Sequence, residues 1–271
     1  MANVHLFIID PQHDFCHPDG SLFVPGAPED MDRVALMIKR GKSKFADIHV
    51  SLDSHQKVHI ANPIWFVDGN GNAPAPLTNI TAADMESGRW SARYASQQGY
   101  TLSYLKALEA GGRYPHTIWP EHCFIGTEGA TVVPVLQDAL SDWCSQFATV
   151  DYVAKGSNPY TEHFSAIQAE VPYPKDPGTQ PNMRFMQTLE TADIIGLCGE
   201  ALQFCVGNTG RDVVKNFSDP KYAKKLVILK DGTSPVVLPN DAHVPMCDAF
   251  LKEMEGHGAT ITTTTEFLNM I

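Results

Sequence analysis

Residues 194–209 read IIGLCGEALQFCVGNT, and this stretch decides how the chain folds. It begins as an apolar β-strand, breaks at a glycine and continues with the pattern of a helix. Cys205 follows that junction, where the free backbone N–H groups of a helix N-terminus favour a thiolate over a thiol. A buried core thiol is the more common role of a free cysteine. Two features upstream favour a nucleophile instead.

Those two features are strand-like runs that each end in a charged residue. The apolar run 7–9 ends at Asp10, and the β-branched run 150–154 ends at Lys155. Because the carboxyl ends of parallel strands form the ligand-binding edge of a sheet, we expect both side chains to face the site. An acid, a base and a thiol at three strand ends therefore predict one convergent catalytic set.

The rest of the chain alternates short strand signals with helical patterns. Residues 30–39 and 133–147 carry apolar side chains at helical spacing. This alternation predicts an α/β fold, in which a parallel sheet of about six strands has helices on both faces and right-handed crossovers. The expected strands lie near residues 3–9, 46–52, 148–154, 192–198, 225–230 and 259–263.

The order of Asp10, Lys155 and Cys205, each at the end of a strand, resembles the catalytic triad of the isochorismatase-like cysteine hydrolases. That superfamily includes nicotinamidase. Residues 51–59, SLDSHQKVH, are similar to the nicotinamidase metal segment, and residues 119–130, WPEHCFIGTEGA, are similar to its Trp-Pro-x-His-Cys stretch. The resemblance covers most of the chain. It implies an isochorismatase-like three-layer sandwich, with residues 1–271 as a single cysteine-hydrolase domain.

The segment 51–59 supplies the expected metal ligands. Asp53 and His55 are two residues apart at the end of the run 48–52, so in an extended chain both side chains point the same way. With His122 they form a two-histidine, one-carboxylate set that leaves coordination positions open for water or substrate. We expect a divalent metal ion there, with zinc ahead of iron or manganese. His59 either joins this shell or only orients a water molecule.

The resemblance also implies a mechanism and a substrate pocket. Cys205 attacks a carboxamide carbon, and the backbone N–H groups of Ala201 and Cys205 form the oxyanion hole. The peptide bond Glu200–Ala201 is expected to be cis. Three aromatic residues stand at the positions that sandwich the substrate ring in nicotinamidases: Phe15, Trp119 and Phe164.

Two residues beside the nucleophile depart from the family pattern. Gln203 stands where an aspartate is usual, and Glu200 stands where an apolar residue is usual. Because neither residue is one of the expected catalytic groups, we expect these changes to affect the choice of substrate more than the type of reaction.

Length and charge are those of an enzyme rather than of a nucleic-acid-binding protein. The 271 residues can bury a full hydrophobic core, and 20 basic against 31 acidic side chains give a formal charge of −11. No Lys/Arg cluster forms a basic stripe, so nucleic acid is not an expected partner. No apolar run approaches the roughly 20 residues needed to span a bilayer, so no membrane partner is expected either.

The cysteines and the first residues predict the compartment. The six cysteines show neither a close metal-binding pair nor the dense framework of a secreted protein, which favours a reducing environment. The opening Met-Ala-Asn-Val-His lacks the basic flank of a signal peptide. We therefore expect a cytoplasmic protein.

Two segments exceed what a minimal sheet of this kind needs. A long insertion covers about residues 60–117, and a short Pro-rich insertion covers about 170–182. Long connections inside a compact domain usually serve as lids or contact surfaces. They predict a modified substrate pocket or a contact in a homo-oligomer, and a surface elaboration without a role is the third interpretation.

Together these patterns predict a metal-dependent amidase that converts nicotinamide or a related small carboxamide to the acid and ammonia through a cysteine thioester. The expected partner is thus a small-molecule amide substrate. Two alternatives stay open. A metal-independent carbamoyl-amide hydrolase of the same superfamily keeps the triad, and a non-catalytic binding protein on this fold would more often have lost one triad residue.

Overall fold

The structure, a computed structural model, describes residues 2–271. Six strands of the described range form a central sheet, and two pairs of short strands lie apart from it. In chain order the strands are β1 (Val4–Ile9), β2 (Asp47–Asp53), β3 (Phe66–Val67), β4 (Asn79–Ile80), β5 (Ser91–Ala92), β6 (His116–Thr117), β7 (Asp151–Lys155), β8 (Ile194–Gly199), β9 (Leu226–Leu229) and β10 (Thr260–Thr262).

The central sheet is parallel throughout, in the order β10-β9-β8-β1-β2-β7. β1 is buried along its whole length and lies between β8 and β2, with Val4 beside Ile194 and His5 beside Asp47. A central parallel strand is covered on both faces, which explains its almost continuous apolar sequence.

Helices cover both faces of this sheet. The helices are α1 (His13–Cys16), α2 (Ala27–Arg40), α3 (Ala82–Glu86), α4 (Gln98–Gly111), α5 (Pro134–Cys144), α6 (Met183–Glu190), α7 (Gly207–Asn216), α8 (His243–Gly256) and α9 (Thr264–Met270). Side chains of α2, α5 and α9 form one apolar cluster with Leu6 and Ile8 of β1. Those of α6, α7 and α8 form a second cluster with Phe7 and Ile9. Alternate residues of β1 thus enter the two halves of a three-layer sandwich.

Residues 60–117 build a separate apolar cluster. Its buried members include Trp65, Phe66, Tyr104 and Leu105. Helices α3 and α4 contribute to it, and the antiparallel pairs β3–β5 and β4–β6 lie in or beside the same segment. This segment is therefore an ordered layer with its own apolar packing.

Residues 170–182 have little regular structure. A single 3-10 turn covers Pro177–Thr179, and the Asp176 carboxylate accepts the Gly178 N–H at 2.9 Å. The buried Thr179 hydroxyl donates to the Asp176 carbonyl at 2.7 Å. These local hydrogen bonds order the Pro-rich loop in the absence of a helix or strand.

The predicted fold class is confirmed. All six expected strands are present, and the predicted helices 30–39 and 133–147 correspond to α2 and α5. Helix α2 begins earlier than predicted, at Ala27, because Pro28 suits the first turn of a helix. Across residues 2–271, no helix combines the length and the apolar character needed to cross a membrane.

Candidate active site

Four neighbouring strands, β8, β1, β2 and β7, end beside one another at the carboxyl edge of the sheet. Asp10 immediately follows β1, while Asp53 and Lys155 are the last residues of β2 and β7. Cys205 lies in the π-helical turn Leu202–Val206, which leads directly into α7. The parallel topology thus gathers residues that are far apart in the sequence.

Lys155 lies among the predicted catalytic residues. Its Nζ is 2.8 Å from Asp10 Oδ2 and 3.6 Å from Cys205 Sγ, and it donates to the His163 carbonyl at 3.2 Å. All three predicted residues are buried, with exposed fractions of 0% for Asp10, 3% for Lys155 and 7% for Cys205. The structure therefore brings together the acid, base and thiol expected at three strand ends.

Ser51, on the neighbouring strand β2, fixes the orientation of Asp10. The Ser51 hydroxyl donates to Asp10 Oδ1 at 2.6 Å and accepts the Asp10 backbone N–H at 3.0 Å. Asp10 has a φ of 44°, a left-handed conformation that is uncommon outside glycine. Its second carboxylate oxygen is thereby directed to Lys155.

The electrostatics of the site favour a thiol at Cys205. Burial raises the pKa of Cys205 well above its usual range, and the Lys155 ammonium opposes this only in part. Burial also raises the pKa of Asp10, again against the effect of Lys155. Desolvation of the sulfur thus opposes the thiolate expected at a helix N-terminus, and that thiolate stays a prediction.

Lys155 stays charged in the same surroundings. Burial opposes its charge, but Asp10 and Asp53 outweigh that effect and hold the pKa of Lys155 well above its usual range. Asp53 Oδ1 lies 3.1 Å from Lys155 Nζ. One ammonium group thus contacts both the predicted catalytic acid, Asp10, and the expected metal ligand, Asp53.

Asp53, His55 and His122 form the expected metal-ligand cluster. Asp53 Oδ2 lies 2.9 Å from His55 Nε2 and 3.3 Å from His122 Nε2. All three residues are buried, and one ligand atom from each lies within 4.8 Å of the others. This arrangement matches the two-histidine, one-carboxylate set predicted from the sequence.

The hydrogen bonds of the two histidines test whether a cation fits this cluster. The Nδ1 atoms of His55 and His122 lie 3.2 Å and 2.6 Å from the carbonyl oxygens of Gly156 and Pro120, so each Nδ1 carries the proton and donates. The two Nε2 atoms then face the Asp53 carboxylate. A positive charge between these three groups, carried by a proton on a histidine or by a divalent metal ion, suits this donor set.

His59 lies beside the cluster but is not one of its ligands in this arrangement. Its ring centroid is 4.5 Å from that of His55. His59 Nε2 donates to the Thr161 carbonyl at 3.2 Å, and Nδ1 accepts the Ala61 N–H at 3.2 Å. Because both ring nitrogens are engaged, His59 orients the surrounding backbone.

Gly156 makes room for the metal-ligand cluster directly after Lys155. Its φ is +80°, and a Cβ at this position would lie 2.6 Å from Asp53 Oδ1 and 2.9 Å from His55 Cε1. Only glycine combines this backbone conformation with so close an approach. The Lys-Gly pair at the end of β7 thus reflects packing against the expected ligands.

Asp14 holds the loop that carries His122. Its Oδ2 accepts the Cys123 N–H at 2.6 Å, and its Oδ1 accepts the Ser21 N–H at 3.1 Å. A Cβ on Gly129 would overlap the Asp14 carboxylate. Gly129, the last residue of the run Gly-Thr-Glu-Gly at 126–129, therefore leaves the space that this carboxylate needs.

The loop between β8 and the π-helical turn has the expected backbone. The Glu200–Ala201 peptide bond is cis, as the resemblance implies. The Ala201 carbonyl accepts the N–H groups of Phe204 at 3.1 Å and Val206 at 3.2 Å. Ala201 and Cys205 line one pocket, and an oxyanion hole formed by their N–H groups stays a prediction.

That pocket is largely apolar. The Trp119 and Phe164 rings meet edge to face with their centroids 6.1 Å apart, and the Phe15 ring lies 5.3 Å from that of His122. The expected aromatic, nucleophilic and metal-binding residues share its lining: Phe15, Trp119, Phe164, Cys205, Asp53 and His122. A pocket with this aromatic lining suits a small planar molecule.

Two further pocket residues were not recognised in the sequence. Phe204 packs edge to face on Trp119, with ring centroids 5.1 Å apart. Its position directly before the predicted nucleophile is the feature of the sequence that could have identified it. Glu162 is buried in the pocket lining, and its carboxylate accepts the His163 N–H at 3.0 Å. Glu162 lies outside every helix and strand, so no periodic pattern marks it.

Gln12 is a third residue that the sequence did not reveal. Its Oε1 accepts the Asp53 N–H, and its Nε2 donates to the Asp53 carbonyl, both at 2.7 Å. Gln12 is fully buried and lies two residues after Asp10. It therefore links the end of β1, which carries the predicted catalytic Asp10, to the end of β2, which carries the expected metal ligand Asp53.

Comparison with known proteins finds relatives that match nearly the whole chain. No family model matches the chain. The nicotinamidase of Escherichia coli (strain K12) is 26% identical over 268 residues, which cover 97% of this chain and 95% of the relative. The chain is thus similar to nicotinamidases over nearly its whole length, as its sequence motifs predicted.

Solved structures agree with the fold of this nicotinamidase-like protein. The yeast nicotinamidase bound to the inhibitor nicotinaldehyde has a TM-score of 0.64 at 20% identity, covering 96% of this chain and 99% of that one. The pyrazinamidase of Pyrococcus horikoshii in complex with zinc has a TM-score of 0.57 at 19% identity, with coverage of 96% and 99%. The α/β sandwich of these enzymes and of this chain is the same fold.

Proposed function

We propose that this nicotinamidase-like protein hydrolyses the carboxamide of nicotinamide, or of a closely related heteroaromatic amide, to the carboxylic acid and ammonia. One juxtaposition supports this function above all. Cys205, with Lys155 and Asp10 beside it, lines the same aromatic pocket as Asp53 and His122. The nucleophile suits the carboxamide carbon of such a substrate, and the metal-ligand set suits a nitrogen in its ring. The E. coli relative is itself a nicotinamidase.

The first half-reaction would form a thioester on Cys205. The Cys205 thiol gives its proton to Asp10, a base suited to the task because burial raises its pKa. The sulfur bonds to the amide carbon, and the N–H groups of Ala201 and Cys205 would bind the resulting oxyanion, each contributing about 3–4 kcal/mol. Asp10 then protonates the amide nitrogen, the C–N bond breaks and ammonia leaves.

The second half-reaction would return the enzyme to its starting state. Water attacks the thioester carbon while Asp10 accepts a proton from that water. The C–S bond breaks, the carboxylic acid leaves and Asp10 returns the proton to the Cys205 sulfur. Lys155, held between Asp10 and Cys205, would stabilise the negative charge that moves between these two residues in both half-reactions.

Asp53, His55 and His122 would hold the metal ion. The bound ion would supply a Lewis acid with open coordination positions suited to the ring nitrogen of the substrate. The zinc complex of the P. horikoshii pyrazinamidase supports zinc as the first choice. The triad already contains a nucleophile and an acid/base, so the residues of the cluster orient substrate rather than perform the attack.

Removal of the metal ion is expected to reduce amide hydrolysis strongly while sparing the nucleophile. His122 lines the pocket but is not one of the groups that contact Lys155. Chelated protein and the His122→Ala variant should therefore release little ammonia, yet iodoacetamide should alkylate Cys205 at close to the native rate. Peptide mass spectrometry measures the alkylation, and elemental analysis measures the metal.

His59→Gln is the matched control, because His59 lies beside the cluster with both ring nitrogens engaged by backbone groups. This variant should retain the metal ion that His122→Ala loses. Full amide hydrolysis by demonstrably metal-free protein would contradict the nicotinamidase-like mechanism. It would favour the metal-independent carbamoyl-amide hydrolase instead.

A substrate screen tests the proposed function itself. Ammonia release is measured with nicotinamide, pyrazinamide and a linear carbamoyl compound, on protein of known metal content. We expect turnover of the two ring amides and little of the linear compound, because the pocket is lined by aromatic side chains. Turnover of the carbamoyl compound alone would contradict the proposed hydrolysis of ring amides and favour the carbamoyl-amide hydrolase.

A further inference from the structure

A second cavity lies against the pocket that contains Cys205, and we call these two spaces the outer cavity and the amide pocket. Three aromatic side chains, Trp119, Phe164 and Phe204, line both of them. The outer cavity is the larger of the two. The three rings, here called the boundary rings, therefore separate the amide pocket from an adjoining space into which they can move.

The boundary rings are held by packing alone. Their centroids lie 5.1 Å apart for Trp119 and Phe204, 5.5 Å for Phe164 and Phe204, and 6.1 Å for Trp119 and Phe164. The Trp119 Nε1 atom is buried and has no hydrogen-bond partner within residues 2–271. Because phenylalanine rings have no polar atoms, a change of rotamer at any of the three rings breaks no hydrogen bond. Opening the boundary costs aromatic contacts only.

Two segments away from the strand ends of the active site complete the outer cavity. The insertion 60–117 contributes Leu77, Tyr114 and Pro115, and the chain at the start of α8 contributes Leu238 and Met246. A methionine side chain adapts its shape readily, so this lining accommodates groups of different outline. The position of the insertion beside the predicted nucleophile favours a modified substrate pocket among the roles expected for it.

The lining of the outer cavity has the chemistry of an apolar site. Among residues 2–271, no charged side chain lines it. The polar side chains Thr117 and Asn79 are bound to each other, because the Thr117 hydroxyl donates to Asn79 Oδ1 at 2.9 Å. A ligand group that enters this space therefore suits it best when it is uncharged and apolar.

Tyr114 connects the outer cavity to the turn that carries the nucleophile. Its hydroxyl donates to the Gln203 carbonyl at 2.6 Å and accepts from Arg211 Nη1 at 3.2 Å. Gln203 lies in the same π-helical turn as Cys205. The Tyr114 ring centroid also lies 5.3 Å from that of Phe204. These contacts hold the outer cavity beside the predicted nucleophile.

We propose that the outer cavity is a second substrate subsite, which binds an apolar substituent on the ring of the amide. The inference rests on the proposed function, in which the carboxamide meets Cys205 and the ring nitrogen meets the metal-ligand cluster. The ring carbon that is meta to both of these groups points away from the thiol and from the metal ligands. Trp119 and Phe164, which would hold the ring, also line the outer cavity. A substituent on this carbon passes the boundary rings and fills that cavity.

The substrate class is then a heteroaromatic carboxamide larger than nicotinamide. A phenyl group on the meta carbon buries apolar surface against the lining of the outer cavity, which favours binding. A carboxylate on the same carbon loses its hydration there and finds no cation in the lining. The outer cavity therefore selects substituted ring amides by the polarity of the substituent.

Two substitutions at the start of α8 test the subsite by filling it. Ala242 and Met246 both line the outer cavity, whereas Val244 lies between them in the sequence, is 48% exposed and does not line it. Ala242→Phe and Met246→Trp should each lower the ratio of kcat/KM for the phenyl-substituted amide to kcat/KM for nicotinamide by about tenfold or more. Val244→Trp is the matched control and should leave this ratio at the wild-type value.

The experiment compares nicotinamide with its two analogues that carry a phenyl group or a carboxylate on the meta carbon. Ammonia release by metal-loaded protein gives kcat/KM, and calorimetric titration of Cys205→Ala gives binding without turnover. We expect wild-type protein to hydrolyse the phenyl analogue with a kcat/KM within about tenfold of that for nicotinamide, and to discriminate strongly against the carboxylate analogue. This comparison in the wild type needs no folded variant, and circular dichroism establishes which variants are folded.

The outcomes separate the subsite from the proposed function. Hydrolysis of nicotinamide without binding or turnover of the phenyl analogue would overturn the subsite and leave the proposed function standing. An equal loss for both substrates in the two cavity-filling variants would also overturn it. Binding of the phenyl analogue that Ala242→Phe and Met246→Trp weaken, in a protein that releases no ammonia from any ring amide, would support the subsite and count against the proposed function.

Discussion

Cys205→Ala is expected to abolish amide hydrolysis while leaving the fold intact. The mechanism assigns the covalent step to this sulfur, which lies 3.6 Å from Lys155 Nζ and lines the substrate pocket. Loss of the nucleophile from a catalytic triad lowers turnover by several orders of magnitude. The alanine side chain fits the space of the thiol, so circular dichroism and thermal unfolding should remain close to those of the wild type.

Cys198→Ala is the matched control for this prediction. Cys198 is equally buried, but it lies within β8, and its nearest hydrogen-bond acceptor is the Phe7 carbonyl at 4.0 Å. It should retain turnover. An inactive Cys198→Ala beside an active Cys205→Ala would show that the nucleophile has been misplaced. An aldehyde analogue of the substrate should likewise modify Cys205 and none of the other cysteines.

Asp10→Asn and Lys155→Ala should each lower turnover by several orders of magnitude, as the loss of a triad member usually does. The Asp10→Asn variant lacks the base that would accept the thiol proton. Lys155→Ala removes the ammonium that lies 2.8 Å from Asp10 and 3.6 Å from the sulfur. Single-turnover kinetics with nicotinamide measure the chemical step separately from product release.

The double variant decides whether these two residues act as one unit. Both act on the same sulfur, so the loss in Asp10→Asn/Lys155→Ala should be close to that of the more damaging single variant. A loss equal to the product of the two single losses would indicate that Asp10 and Lys155 serve separate steps. The alkylation rate of Cys205 across pH reports whether Lys155 lowers the thiol pKa, as its position suggests.

The sheet and the polar ends of its strands could be predicted because their signals are local. Apolar runs that end at Asp10 and Lys155 mark the carboxyl ends of β1 and β7, and parallel topology then brings those ends together. Asp53 and His55 were found in the same way, since their spacing and their place at the end of β2 are both visible in the sequence.

Features that depend on burial or on distant partners could not be predicted. The desolvation that raises the pKa of Cys205 is set by the packed surroundings and not by its position on a helix. Gln12 and Glu162 belong to no motif, and their roles come from contacts with strands elsewhere in the chain. The sequence marked Glu200 as unusual, yet the N–H group that its carboxylate accepts belongs to Ser234, 34 residues away.

A peptide-level analysis of the acid-quenched reaction tests the central claim most directly. Metal-loaded protein is mixed with nicotinamide, quenched during turnover, digested at low pH and examined by mass spectrometry. The proposed mechanism predicts a nicotinoyl thioester on the peptide that contains Cys205, and the adduct should be absent from Cys205→Ala. A nicotinoyl adduct on a different residue, or undiminished ammonia release by Cys205→Ala, would contradict it.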